Sequence, residues 1–496
     1  MTMNLLVILP VLIPLVGAVI ALLWRHKRPL RDAWTLAVMV VSMLASFVLL
    51  AAVWQNGSPL VYQSGGWPAP FGISLVADML SALFVVMVQV VMVTGVIYAL
   101  GSKDTVVTYP AFFTFFLMLV TGLTGTILTG DLFNLYVFAE LLVISGTVLT
   151  AVSDDKFGTE AAYKYFYISL LASFFMLLAV GTLYVSYGTL NMADLGAKVM
   201  ADGERPLLWP GIALLLAFFM VKSAAVPFHF WQPDFHAAAP TPVSAMLSSV
   251  VVKLGVYGFL RMTTLLFVAQ APTIRLILLV AGVIGVVFGG LSAIGTHNVK
   301  RMLAYSTLAQ VGFILVAIGW GTQLSIMTAI VFAFNHSLIK AAMLMLAGYV
   351  ASRASVKSAA FDIVTGVGKP LPLAGVLFFV GSLALAGIPP TNGFVSKSLL
   401  FSSGINSTFY WSLLLIGVTS IFTLMYTIRA FQRIWWLAPA EGIYTKPAGD
   451  NLAAPVLLLI MIVALGIWAS PLVTAAQEAS AWLSDPSVYI QAVLGG

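Results

Sequence analysis

Two lysines stand inside apolar stretches at the ends of the run KSAAVPFHFWQPDFHAAAPTPVSAMLSSVVVK, which begins at Lys222 and finishes at Lys253. Between them lie Pro227, Pro233, Pro240 and Pro242, with His229, Asp234 and His236. An ionisable group inside hydrocarbon is costly, so such a residue usually marks an ion path. Desolvation discourages an ammonium and a nearby carboxylate favours it. Moving a carboxylate therefore switches a lysine between charge states, which is what a proton carrier requires. Glu140, in DLFNLYVFAELLVISGTVL, supplies a carboxylate about 13 Å of helix from Asp131, and is expected to act as an ion partner for Lys222. The alternative is a glutamate kept neutral within the bundle.

Further along, FAFNHSLIKAAMLMLAG puts His336 and Lys340 four residues apart, hence on one helix face. Histidine titrates near neutrality and can pass protons between lysines, unless a neighbouring hydroxyl merely satisfies it. Lys397 follows GIPPTNGFVSK and is expected to be the terminal titrating group. A lysine that snorkels to the interface is the plainer reading of Lys253 or Lys397. His229, Asp234 and His236 are expected in a loop lining a watery entry. A metal site is not expected there, because the helical HExxH type of spacing is missing. Asp78 and Asp131 read as helix caps.

The elements that must hold these groups are membrane helices. Of 496 residues, 61% are hydrophobic and 8% charged, with a mean hydropathy of +1.05. Soluble chains carry about 25% charge, so this is an all-α, polytopic membrane protein. About fourteen spans are expected, near 4–24, 32–54, 73–100, 109–129, 131–151, 162–187, 208–229, 241–267, 274–295, 301–320, 323–350, 372–402, 408–433 and 453–470. The first reads as a membrane helix and not a cleaved signal, lacking a basic leader. With both ends outside, fifteen lysines and arginines from Arg25 to Lys446 fall in inner loops. Four (Lys198, Arg205, Arg261 and Arg275) fall in outer ones, a positive-inside bias that supports the topology. The connections 55–72, 188–207 and 434–452 read as surface loops.

Pro227 should open the seventh span beyond Lys222, and Gly387, Pro389, Pro390 and Gly393 should open the twelfth before Lys397. Paired discontinuous helices point to inverted repeats. The expected layout is three leading helices (1–108), a first five-helix repeat (109–267), a second (268–433), and a final helix with a C-terminal tail (434–496). The net charge of +6 is scattered between apolar runs, so no nucleic-acid partner is expected. There is no cysteine, no P-loop and no dinucleotide-binding loop. No cofactor is expected, and transport must be driven by an ion gradient or by partners.

The runs DLFNLYVFAELLVISGTVL, KSAAVPFHFWQPDFHAAAPTPVSAML, KLGVYGFLR, HNVKRMLAYSTLAQVG, FNHSLIKAA and GIPPTNGFVSK resemble the antiporter-like proton-translocating subunits. That family occurs in the membrane arm of complex I, in membrane hydrogenases and in Mrp-type Na⁺/H⁺ antiporters, and the resemblance covers about residues 70–430. The length and the N-terminal run MNLLVILPVLIPLVGA resemble the D-type subunits of the Mrp branch. Lys397 agrees, since the nearest complex I relatives commonly carry glutamate there, while A-type subunits are much longer.

The resemblance implies a proton path through Glu140 and Lys222 as an ion pair, Lys253 as the central lysine, His336 as relay and Lys397 as terminal lysine. Lys340 joins them by its place on the His336 face. It also implies partner subunits of A, B, C, E, F and G type, surrounding lipids, a bacterial cell membrane, and Na⁺ exchanged for protons by a transporter that is not an enzyme. The rival reading is a proton-pumping subunit of a complex I-like oxidoreductase or hydrogenase. Gln232 and Phe235 depart from the family's leucine and alanine, and Asn298 replaces a frequent acid. Nothing resembles an oxygen cage for Na⁺, so the chain alone should exchange little.

Overall fold

Backbone amides have no water to bond in hydrocarbon, so apolar runs of this length must close their hydrogen bonds within helices. The computed structural model describes residues 3–152 and 156–495 and is helical almost throughout. Among the described residues nine helices are long and apolar enough to cross a membrane, and Ala453–Ile467 with Ser470–Ser484 forms a further pair bent by 75°. Shorter apolar helices are Leu9–Leu23, Phe112–Leu128, Leu208–Lys222 and Pro372–Ala386.

Burial sorts these helices into a centre and a ring. Thr241–Leu266 is wholly enclosed, and Met79–Leu100, Val299–Trp320 and Gln323–Arg353 nearly so. Arg28–Asn56 and Tyr410–Trp436 bury only about a third of their residues and carry large apolar side chains on the outside, such as Leu44, Leu414 and Ile421. Polar residues on the central helices therefore face protein and not lipid, which is where ionisable groups can be kept.

Both expected breaks are present. The helix Leu208–Lys222 stops at Lys222, Ala224 takes φ +52°, and the chain becomes helical again at Trp231. Pro372–Ala386 stops before Gly387, whose φ of +81° is left-handed, and Asn392–Ile405 resumes with Lys397 inside it. Irregular backbone at this depth is tolerated only where protein encloses it.

Other features depart from expectation. The stretch with Asp234 and His236 is an eight-residue helix, Trp231–Ala238, not a loop. The enclosed helix Thr241–Leu266 contains two π-helical stretches, Leu247–Val251 and Met262–Leu266, which flank the α-helical segment Lys253–Arg261. Lys253 and Arg261 are thus the first and last residues of that segment. Arg261 is no loop cation but a buried one, and Arg31 is buried too, held by Asp32 and the carbonyls of Tyr109 and Pro110. The 55–72 connection contributes Leu60–Gln63, paired antiparallel with Ser74–Ala77. The 188–207 connection holds the helix Met192–Asp202. Beyond residue 470 the chain is no tail: Ser470–Ser484 packs on Met79–Leu100 and Gln323–Arg353, and Pro486–Leu494 follows.

Candidate functional site

The centre of the site is a contact between two helices. Lys253 Nζ and His336 Nδ1 lie 2.6 Å apart, and both side chains are buried. Lys253 reaches this point because it opens the segment Lys253–Arg261, and His336 because it lies near the middle of Gln323–Arg353. One turn on, Lys340 Nζ donates to Leu303 O at 2.9 Å and to Ser306 Oγ at 2.8 Å. The hydroxyl of Tyr426 also donates to Ser306 Oγ, at 2.8 Å. Lys253 thus meets His336 directly, and Lys340 lies one turn from His336 on the same helix.

Glu140 and Lys222 are not in contact. The half-buried Glu140 accepts a short hydrogen bond from Ser173 Oγ, and no ion pair within 4.0 Å joins it to Lys222. Lys222 Nζ is buried without a hydrogen-bond partner and lies 5.4 Å from the Phe218 ring centre. The expected ion partner is near the lysine without touching it, so pairing requires one of the two side chains to move.

Lys397 likewise has no hydrogen-bond partner, and its Nζ lies 5.3 Å from the Phe313 ring centre. The break beside it is held by amides. Asn335 Nδ2 donates to Asn392 O at 3.1 Å and to Ser396 Oγ at 2.9 Å, and Asn392 Nδ2 donates to Asn335 Oδ1 at 3.0 Å. Asn335 neighbours His336 in sequence, so the second half of the broken helix is tied to the helix that carries the central histidine.

The three residues expected at an entry are separated. A cavity of about 990 Å³ opens at one end of the molecule, lined by Lys103, Asp104, Lys300 and Arg301 among others, and of the three only Asp234 lines it. Asp234 pairs with Lys164 at 3.1 Å and with Arg301. His236 is fully buried behind it, with Nδ1 3.2 Å from Ser244 Oγ. Ser248, one turn beyond Ser244, shares a hydrogen bond of 2.8 Å with Thr307, the neighbour of Ser306. His229 stands apart, its ring 4.7 Å from that of Phe288. Among the described residues no group of three or more His, Cys, Asp or Glu is arranged to hold a metal ion.

Sequence reasoning missed a buried charge pair at the opposite end. Arg261 donates to both oxygens of Asp78 at 2.7 Å and, through Nε, to the Tyr257 hydroxyl at 2.9 Å. That hydroxyl donates to Ile127 O, and the Tyr489 ring covers the guanidinium at 5.0 Å. Asp78 is the expected cap, bonded to Ser81 N, but it is also the counter-ion of Arg261. Lys253, Tyr257 and Arg261 recur every four residues, and that spacing was the available signal. Ser306 and Tyr426 were also missed, because a hydroxyl in an apolar helix leaves no mark in a search for titratable groups.

The family model for "NADH:quinone oxidoreductase/Mrp antiporter, TM" matches residues 129–423. The D-type subunit of the Na(+)/H(+) antiporter of Bacillus subtilis (strain 168) is 32% identical over 99% of this chain and 100% of its own. The N-type subunit of the NADH-quinone oxidoreductase of Desulforudis audaxviator (strain MP104C) is 33% identical, over 93% of this chain and 94% of its own. Among solved structures, a chain of the Mrp complex from Dietzia sp. DQ12-45-1b superposes with a TM-score of 0.91 at 26% identity, covering all of both chains.

Proposed function

The chain belongs to the NADH:quinone oxidoreductase/Mrp antiporter transmembrane family, and from that premise we propose that it is the proton-translocating, D-type subunit of a multisubunit Na⁺/H⁺ antiporter. Full-length similarity to D-type antiporter subunits and to a chain of an Mrp complex supports this reading. The observation that carries the mechanism is the 2.6 Å contact of Lys253 with His336, enclosed at the middle of the bundle with Lys340 one turn away.

Protons enter from the charged cavity, which we place on the inner side of a bacterial membrane, with both chain ends outside. His236, Ser244, Ser248 and Thr307 lead inward from Asp234. Lys253 takes a proton, His336 exchanges it with Lys340, and Lys397 is the far terminus. Glu140 acts on Lys222 as a movable counter-charge: when the pair closes the ammonium is favoured, and when it opens the proton is released along the chain. The two broken helices sit in corresponding positions of two five-helix units, 109–267 and 268–433, and give each half its own opening. Na⁺ crosses through partner subunits of A, B, C, E, F and G type. The chain is a transporter subunit and not an enzyme in its own right.

The likeness to an N-type oxidoreductase subunit supports one rival, a pump in a redox-driven complex. Gene neighbours decide between the two: small multi-span partners favour the antiporter, quinone or iron–sulfur subunits the rival. The direct test is Lys253→Met in the assembled complex, assayed as Na⁺-dependent proton movement in inverted vesicles. Exchange should be lost with assembly intact, and retained exchange would remove the central lysine from the mechanism.

A further inference from the structure

Lys340 and Lys397 sit on different helices, and a third helix, Val299–Trp320, touches both. Its Ser306 accepts from Lys340, and its Phe313 lies beneath the Lys397 ammonium. These two contacts are seven residues apart, about 10 Å along the helix, too far for one proton transfer. Between them is Gln310, so that positions 306, 310 and 313 form one stripe on the helix surface.

Gln310 is buried at 2% exposure, one turn along the helix from Ser306, which accepts from the Tyr426 hydroxyl. Its Nε2 makes no hydrogen bond, and neither does Lys397 Nζ. A buried N–H left without an acceptor is costly, and these two lie against neighbouring turns of one helix face, so one occupant that accepts from both would satisfy them. A single water molecule fits that chemistry, since its oxygen accepts from both donors and its own hydrogens stay free to bond the Tyr426 hydroxyl.

We propose that Tyr426 and Gln310 form the relay between Lys340 and Lys397, with Gln310 holding one water molecule between the Tyr426 hydroxyl and the Lys397 amine. This rests on the proton-carrying reading above. With Lys397 protonated and Lys340 neutral, an N–H bond of Lys397 breaks and its proton passes to the water. The water gives a proton to Tyr426, Tyr426 gives its own to Ser306, and Ser306 gives its own to Lys340 Nζ, where the new N–H bond forms. Each oxygen gains one proton and loses one, so only the two amines change charge. The hydrogen bond from Tyr426 to Ser306 already points in this direction. Rotation of the two hydroxyls reverses it and gives the step from Lys340 to Lys397 that the path from the Asp234 cavity requires, the sense in which Lys340 already donates to Ser306. Gln310 neither gains nor loses a proton; it is a positioning residue.

The test uses the assembled complex in inverted vesicles, with Tyr426→Phe, which keeps the ring, and Gln310→Leu. In both, the maximal exchange rate should fall by about tenfold or more while the KM for Na⁺ and the amount of complex stay unchanged. The residual rate should show a larger solvent deuterium isotope effect than the parent. Wild-type rates, or slowed rates with an unaltered isotope effect, overturn the relay, the latter marking a packing defect. If Gln310→Leu does not assemble, Tyr426→Phe decides alone. Lys340→Met separates the two levels: exchange that survives it sinks the proton-chain reading. Exchange lost in Lys340→Met but normal in both relay variants sinks only the relay.

Discussion

Adding one methyl group at Gly387 should disable transport while leaving the fold nearly intact. Gly387 ends the first half of the broken helix with φ +81°, and a Cβ there would lie 2.5 Å from Lys397 Cδ, 3.0 Å from Cγ and 3.2 Å from Cβ. A left-handed backbone costs a non-glycine residue about 1–2 kcal/mol. Carbon atoms rest at about 3.5–4.0 Å, so Lys397 Cδ must retreat by about 1 Å. A lysine stem can do so cheaply, but only by swinging its ammonium off the Phe313 ring and away from the relay. Stability should therefore drop by only about 1–2 kcal/mol in Gly387→Ala. Exchange should fall between about ten- and a hundredfold, the scale of a 1 Å misplacement at a reacting group. Gly57→Ala is the control, since Gly57 has φ +66° and nothing within 4 Å of its added Cβ. The assay is Na⁺-induced relaxation of a pH gradient in inverted vesicles, with thermal denaturation of the purified complex beside it. Equal exchange in the two variants would refute the argument.

Other substitutions probe neighbouring parts of the molecule. Asp78→Asn leaves the buried Arg261 unpaired and should destabilise the complex by about 3–5 kcal/mol in thermal denaturation. Glu140→Gln keeps a partner for Ser173 but removes the charge that acts on Lys222, so exchange should fall while the complex still assembles. Gly255→Ala sets a Cβ 2.4 Å from Phe219 O and 2.5 Å from Ser223 Cβ. Backbone cannot yield there as a side chain can, so the two helices must part beside Lys222, costing about 1–3 kcal/mol and the exchange activity together.

The breaks were legible because proline and glycine remove hydrogen bonds wherever they stand, and Pro227 and Gly387 mark both openings. The shared face of His336 and Lys340 followed from helical period alone. What period cannot give is which helix stands opposite. Lys253 and His336 are 83 residues apart in sequence, and only packing brings them to 2.6 Å. The expected Glu140–Lys222 contact shows the same limit from the other side: helical period does not say what faces a carboxylate, and here Ser173 occupies it. Arg261 reads as a loop cation in the sequence because it stands close to the end of an apolar run, where loop charges are common. Its counter-ion Asp78 is distant in sequence. The π-helical stretches around Lys253–Arg261 carry no proline and leave no signature. Ser470–Ser484 escaped because Gln477 and Glu478 lower its hydropathy below that of a span.

Transport as proposed requires an unbroken hydrogen-bonded path from the Asp234 cavity to Lys397 through Lys253, His336 and Lys340. The most direct measurement is a density map of the whole complex at a resolution that shows individual waters. Ordered water or polar side chains are expected at every step, with successive partners within about 3.5 Å. A dry, closely packed gap on either side of Lys340 would contradict the proton path.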